Sequence, residues 1–234
     1  MTLPLIRLGA VDSTQAFLER HPELGHCAVL AGTQTRGRGQ RGNRWESAPG
    51  AGLWLSAALP APPVPPGLVL QRAMAAVLEV LEGTGAALGL KWPNDLVAWH
   101  RGRLVKLGGI IGQGKGERLL LGLGVNLASA PDLPERAIPA ACLGDLVPGP
   151  LPEPTALARA ILEAWTDLSI LREPPFRWPG AGEPIRWEEG EGICAGWLED
   201  GRLGVQTRQG TLNLTAGDIR GLGQSGPSMP SLTR

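Results

Sequence analysis

The densest concentration of chemistry-bearing side chains is the run RGRGQRGNRW at 36–45, where Arg36, Arg38, Arg41 and Arg44 alternate with Gly37, Gly39 and Gly42. Glycines let a backbone close around a ligand, and guanidinium forks with backbone N–H groups suit a phosphorylated one. The spacing Gly37-x-Gly39-x-x-Gly42 also matches a dinucleotide fingerprint. That fingerprint must open a helix, whereas ESAPGAGLWLS follows, with Pro49, Gly50 and Gly52 leading into an alternating strand. Two other readings stay open: a solvated basic loop, and an arginine-glycine nucleic-acid arm. Against the arm, the run lies between two strands and carries no aromatic residue except Trp45.

Scarce residue types mark further positions. Of 22 basic side chains only Lys91, Lys106 and Lys115 are lysines, and asparagine occurs only at 43, 94, 126 and 213. In KWPNDLV, Lys91, Asn94 and Asp95 crowd a strand end around Pro93, which suits either a ligand site or a capped turn. Lys106 stands inside a strand just before Gly108 and Gly109, where a ligand can approach the backbone closely. Asn126 ends the apolar strand GLGVN, placed to bond a ligand or to cap a turn. The stretch Gly109 to Gly116 imitates a P-loop, but Gly116 replaces the Mg²⁺-binding hydroxyl and a strand follows, so Lys115 reads as a hairpin-turn residue.

Composition narrows the classes. Twenty-two basic and 22 acidic side chains cancel, with a pI near 6.8, so no global field draws this chain to nucleic acid or an anionic membrane. The N-terminus lacks a basic segment followed by an apolar run, and no uncharged apolar stretch reaches membrane-spanning length. A cytoplasmic protein without membrane contact is expected. Cys27, Cys142 and Cys194 are far apart and odd in number, arguing against a disulfide framework or a thiolate metal site. They read as buried small hydrophobes, and His21, His26 and His100 as surface or loop residues.

These groups need elements to position them. A helix is expected from Val11-Asp12-Ser13-Thr14, capped by Asp12, to about His21-Pro22. Strands are expected at 27–31 and 53–59, with the polar loop 32–44 between them. Apolar spacing predicts a helix over 69–82, then short strands at 88–92, 96–99, 105–111 and 119–127 joined by HRGR and GKGE turns. Another helix is expected over 155–171 with Thr155 as cap. From about 181 short β-like runs with EDGR and RQGT turns suggest a small barrel, and GQSGPSMPSLTR a disordered tail. The expected fold class is α+β, with a mixed sheet backed by helices.

In order, the DST entry at 12–14, Gln34 ahead of GRGQRGNRW, KWPND, KLGGI and GLGVNL resemble the biotin–protein ligase family over roughly 12–128. The resemblance implies a catalytic domain over 1–180 like that of class II aminoacyl-tRNA synthetases. It also implies a Src-homology-3-like β-barrel over 181–223, leaving 224–234 as tail. ATP and biotin would be substrates, with Mg²⁺ as cofactor. The partner would be a biotin carboxyl carrier protein, and a homodimer is compatible. Ser13, Thr14, Gln15 and Gln34 would surround biotin together with Arg38, Gly39, Gln40 and Lys106, the catalytic pair being Lys106 and Arg38. Gly37, Arg41, Trp45, Lys91, Asn94 and Asn126 would contact ATP or the adenylate, and Asp95 is a candidate for Mg²⁺ or phosphate. Because the first motif begins at Asp12, no DNA-binding domain is expected. Two features depart from the family pattern: Gln40 occupies a position usually held by Arg, which weakens adenylate retention unless Arg41 substitutes, and RGRLV lengthens the hairpin before Lys106. A lipoate or octanoate ligase of the same superfamily and a non-catalytic binding module are the alternatives.

Overall fold

Strands as apolar as 53–59 and 119–125 must be covered on both faces. In the computed structural model, which describes residues 3–133, 137–170 and 172–222, they lie at the centre of an eight-stranded mixed sheet. In chain order its first half comprises β1 (Leu5–Val11), α1 (Thr14–Arg20), β2 (Ala28–Gln34), a ribbon of β3 (Gly37–Arg38) and β4 (Arg44–Trp45), β5 (Gly52–Pro60) and α2 (Pro66–Leu81). Then come β6 (Leu88–Lys91), β7 (Asp95–His100), β8 (Arg103–Lys115), β9 (Arg118–Asn126), α3 (Leu143–Leu146), α4 (Pro154–Ala164) and β10 (Arg177–Trp178). The sheet order is β1-β2-β5-β9-β8-β7-β6-β10, with parallel pairing only at its two ends.

Side chains alternate across this sheet. Ala28, Leu30, Leu55, Ala57, Leu121 and Leu123 face the main core under α2 and α4, while Val29, Ala58 and Leu120 face Leu18 of α1. The same alternation turns Ser56, Lys106, Gly122, Gly124 and Asn126 away from the main core, because both chain neighbours of each belong to it, and Lys91 likewise follows Leu90 of that core. Beyond the large sheet, β11 (Pro184–Trp187), β12 (Gly190–Trp197), β13 (Leu203–Thr207), β14 (Gly210–Leu214) and β15 (Arg220–Gly221) form an antiparallel sheet ordered β14-β13-β12-β11-β15. Its Ile185, Trp187, Cys194, Leu203 and Val205 share one core with Trp92, Val97 and Leu104 of the large sheet region. The Gly201 carbonyl fastens the contact by accepting from Gln71 Nε2 at 2.7 Å and Trp92 Nε1 at 3.1 Å. Among the described residues β14 and β15 do not pair, so the sheet is open rather than a closed barrel.

Local chemistry explains where elements depart from expectation. The cap of α1 is Ser13, whose hydroxyl accepts from Ala16 N; Asp12 instead takes both ends of the Arg20 fork, at 2.7 and 2.8 Å, which holds its carboxyl at about 2. Helix α4 is capped by Glu153 rather than Thr155, with Pro154 in its first turn. It stops at Ala164 rather than 171, where Thr166 and Asp167 turn their side chains onto nearby backbone groups. Strand β1 was not expected, because Arg7 and Gly9 break the apolar pattern of this edge strand. The expected long loop contains the β3/β4 ribbon, and β10 brings 177–178 into the large sheet. The expected tail at 224–234 lies outside the described residues. No helix among those described is long and apolar enough to cross a membrane.

Candidate active site

A cleft of about 280 Å³ opens on the sheet face turned away from α2 and α4, between α1, the β3/β4 ribbon and the segment ahead of β15. That volume suits a small molecule rather than a polymer. Its lining is unusual for a sheet face: Ser13, Thr14, Gln15, Ser56, Lys91 and Asn126 are polar and buried. Buried polar atoms require partners, so each one marks either a structural bond or a place for a ligand.

At one end, Gln34 Oε1 accepts from Thr14 N at 2.9 Å and lies 3.1 Å from Thr14 Oγ1, while Gln34 Nε2 donates to Ser47 Oγ at 2.9 Å. Thr14 Oγ1 also lies 2.7 Å from Ser56 Oγ. Gln15 Oε1, by contrast, is buried without a partner among the described residues. The GLGVN glycines explain how these groups fit: a Cβ on Gly122 would come within 2.5 Å of Gln15 Oε1, and one on Gly124 within 2.5 Å of the Trp45 ring. The two glycines are a bare floor on which Gln15 and Trp45 rest.

The middle of the cleft is charged. Lys106 Nζ donates to Asp95 Oδ1 at 2.6 Å and lies 5.6 Å from the centroid of the Trp45 ring. Asp95 also faces Lys91 Nζ at 3.6 Å, and Lys91 reaches Asp218 Oδ1 at 3.3 Å. Burial pushes the Asp218 carboxyl up, but the Lys91 and Arg220 charges outweigh it and hold it below the usual carboxylate range. Arg38, Gly39, Gln40 and Arg41 overhang this chain of charges from the ribbon, whose turn is closed by Gly39 N donating to Asn43 O at 2.7 Å. Arg38 pairs with Glu19 of α1 at 2.8 Å, and Arg41, at φ 55°, pairs with Glu188 of the β11–β12 turn at 3.4 Å.

At the far end Asn126 Nδ2 donates to Ala141 O at 3.2 Å, while its buried Oδ1 has no partner among the described residues. Asn94 is the lock of its turn, donating to Ile110 O at 2.6 Å. The cleft therefore offers polar groups for a neutral head, cations for an anionic centre, and an acceptor for a donor-bearing edge. Of the metal-binding residue types, no cluster of three or more stands together among the described residues.

Nearly all the residues singled out in the sequence converge here: Ser13, Thr14, Gln15, Gln34, Arg38, Gly39, Gln40, Arg41, Trp45, Lys91, Asn94, Asp95, Lys106 and Asn126. Gly37 is not part of the cleft lining; it is buried behind the Gln34–Ser47 pair, where a Cβ would strike the Trp45 carbonyl oxygen and lie 3.1 Å from both Gln34 Nε2 and Ser47 Oγ. Lys115 ends β8 at its hairpin turn, away from the cleft. Sequence reading missed Ser56, although a lone hydroxyl within LWLSAAL was a visible signal. Asp218 had no such signal, since it reaches Lys91 from a part of the chain 127 residues away.

Residues 10–127 match the family model for the Biotin/lipoate A/B protein ligase family. The chain is 39% identical over 132 residues to the bifunctional ligase/repressor BirA of Escherichia coli, covering 52% of this chain and 40% of that protein. It is 38% identical over 138 residues to the biotin–[acetyl-CoA-carboxylase] ligase of Paracoccus denitrificans, covering 53% and 55% respectively. It thus spans about half the length of these curated relatives. The fold is similar to that of a solved biotin protein ligase from Aquifex aeolicus in complex with biotin and ATP, with a TM-score of 0.72 and 25% identity over 94% of this chain and 99% of that one.

Proposed function

Because this chain belongs to the biotin/lipoate A/B protein ligase family, we propose that it activates biotin with ATP to biotinyl-5′-AMP. The acyl group then passes to a lysine of a biotin carboxyl carrier protein. The observation that carries this reading is a single cleft running from the Thr14–Gln34–Ser56 cluster, past Lys106 and Arg38, to Asn126. A ureido ring both donates and accepts hydrogen bonds, which the first cluster and the unpartnered Gln15 oxygen match. The dithiolane of lipoate does neither, so a site of this kind disfavours it.

In the first half-reaction the biotin carboxylate attacks the α-phosphate, an O–P bond forms and pyrophosphate leaves. Negative charge crowds between two anions, where Lys106 as a compact cation and Arg38 as a fork offset it. Asn126 Oδ1 would accept from the adenine amine, and Lys91 and Arg41 would face phosphate. The mixed anhydride is prone to hydrolysis, which gives the glycine-hinged loop at 36–45 a reason to close. In the second half-reaction the carrier amine, its proton lost to solvent or a nearby carboxylate, attacks the carbonyl and AMP leaves.

Among the described residues there is no metal cage, and Asp95 already faces two lysines. Mg²⁺ fits this site only as a companion of ATP, held chiefly by phosphates, with Asp95 as the candidate protein carboxylate. We take 1–180 as the catalytic domain and 181–223 as a Src-homology-3-like domain whose Asp218 completes the cleft.

The test is ATP–pyrophosphate exchange dependent on the added acid. Biotin should support it, and Lys106→Ala should lower it about a hundredfold. Exchange with lipoate or octanoate alone would replace this reading with the related ligase, and full activity in the variant would remove Lys106 from its role. Candidate carriers are then compared by streptavidin blot.

A further inference from the structure

Helix α1 presents two residues to the site from one face. Gln15 reaches the cleft floor, and Glu19, one turn later on the same side, reaches the loop. Arg38, Arg41 and Arg44 each pair with an acid among the described residues. The pairs differ in quality. Arg38–Glu19 is the shortest, at 2.8 Å, and its acid is the most covered, with the Glu19 side chain only 20% exposed against 76% for Glu188 and 46% for Glu46. Arg20, the other cation at this end of α1, is taken by both oxygens of Asp12, which leaves Glu19 to Arg38.

The bond uses a single nitrogen of the fork, Nη1, while Arg38 still lines the cleft. A guanidinium carries five N–H donors in a rigid plane, so one edge anchored on a carboxylate leaves another edge oriented and available. We propose that Glu19 is a positioning residue that anchors Arg38 from outside the cleft, so that the free edge of its guanidinium meets the anionic intermediate already oriented. The proposal rests on the adenylate reading above. Without the anchor, Arg38 must lose rotamer freedom each time the intermediate is held, which shortens its residence. Because the pair is partly exposed, the effect is modest, about three- to fivefold.

The test is the release rate of biotinyl-5′-AMP from purified enzyme, measured in Glu19→Ala, Arg38→Ala and the double variant. Glu19→Ala should release the intermediate about three- to fivefold faster with its thermal midpoint near that of the native chain, and should add nothing once Arg38 is gone. Glu19→Gln, whose amide oxygen can still accept from Arg38, should recover part of the loss. Unchanged or slower release in Glu19→Ala, or a full additional effect in the Arg38→Ala background, would overturn the proposal while leaving the biotin reading intact. A native chain that forms no biotinyl-5′-AMP would overturn both.

Discussion

Lys106 and Arg38 bring the same charge to the cleft by different means. Lys106 extends from the middle of a strand onto Asp95, whereas Arg38 hangs from a two-residue strand in a ribbon. The first is held by the sheet, and the second needs help from its neighbours. Gln40 bears directly on this, since it lines the cleft between Gly39 and Arg41. Arg41 also lines the cleft but shares its guanidinium with the exposed Glu188 at 3.4 Å, so it replaces an arginine at 40 only in part. Gln40→Arg should therefore slow intermediate release, by up to about tenfold for one added charge-assisted bond. The decay of the isolated enzyme–adenylate complex measures this; equal rates in the native and variant chains would mean that Arg41 already supplies the contact.

Among the elements, β9 shows how a strand can be structural on one face and functional on the other. Leu121, Leu123 and Val125 enter the main core, while Gly122, Gly124 and Asn126 form the cleft floor. Period-two alternation made this legible in the sequence once β9 was identified as a buried strand. It did not reveal what rests on the glycines, because Gln15 and Trp45 arrive from distant elements. Gly122→Ala should push the Gln15 amide off the floor and weaken biotin binding about tenfold, as expected for one lost buried hydrogen bond. Since the far end of a flexible side chain can yield, the thermal midpoint should move little. Calorimetric titration with biotin and a melting curve separate the two, and a collapse of stability with unchanged affinity would contradict the assignment.

Over the whole molecule, the shared core around Trp92 joins the two sheets. Trp92 is fully buried, packs in the same cluster as Ile185, Trp187 and Leu203, and donates to Gly201 O. Trp92→Ala should cost about 3–5 kcal/mol, and because the core is common to both sheets, denaturant should unfold the native chain in one transition. Two separated transitions would show that the sheets are stable independently. The central strands of the large sheet and α2 were readable from hydrophobic period, and the KWPND and GLGVN strand ends from local alternation and turn chemistry, whereas the edge strands β1 and β10 were not. Biotin as a candidate substrate came from the order of motifs rather than from any residue's physics. What only the tertiary structure decided lies across long separations: Ser56 beneath Thr14, Asp218 against Lys91, and Glu19 against Arg38. No local pattern encodes those pairs, because each depends on which elements the packed sheets bring within a few ångströms of one another.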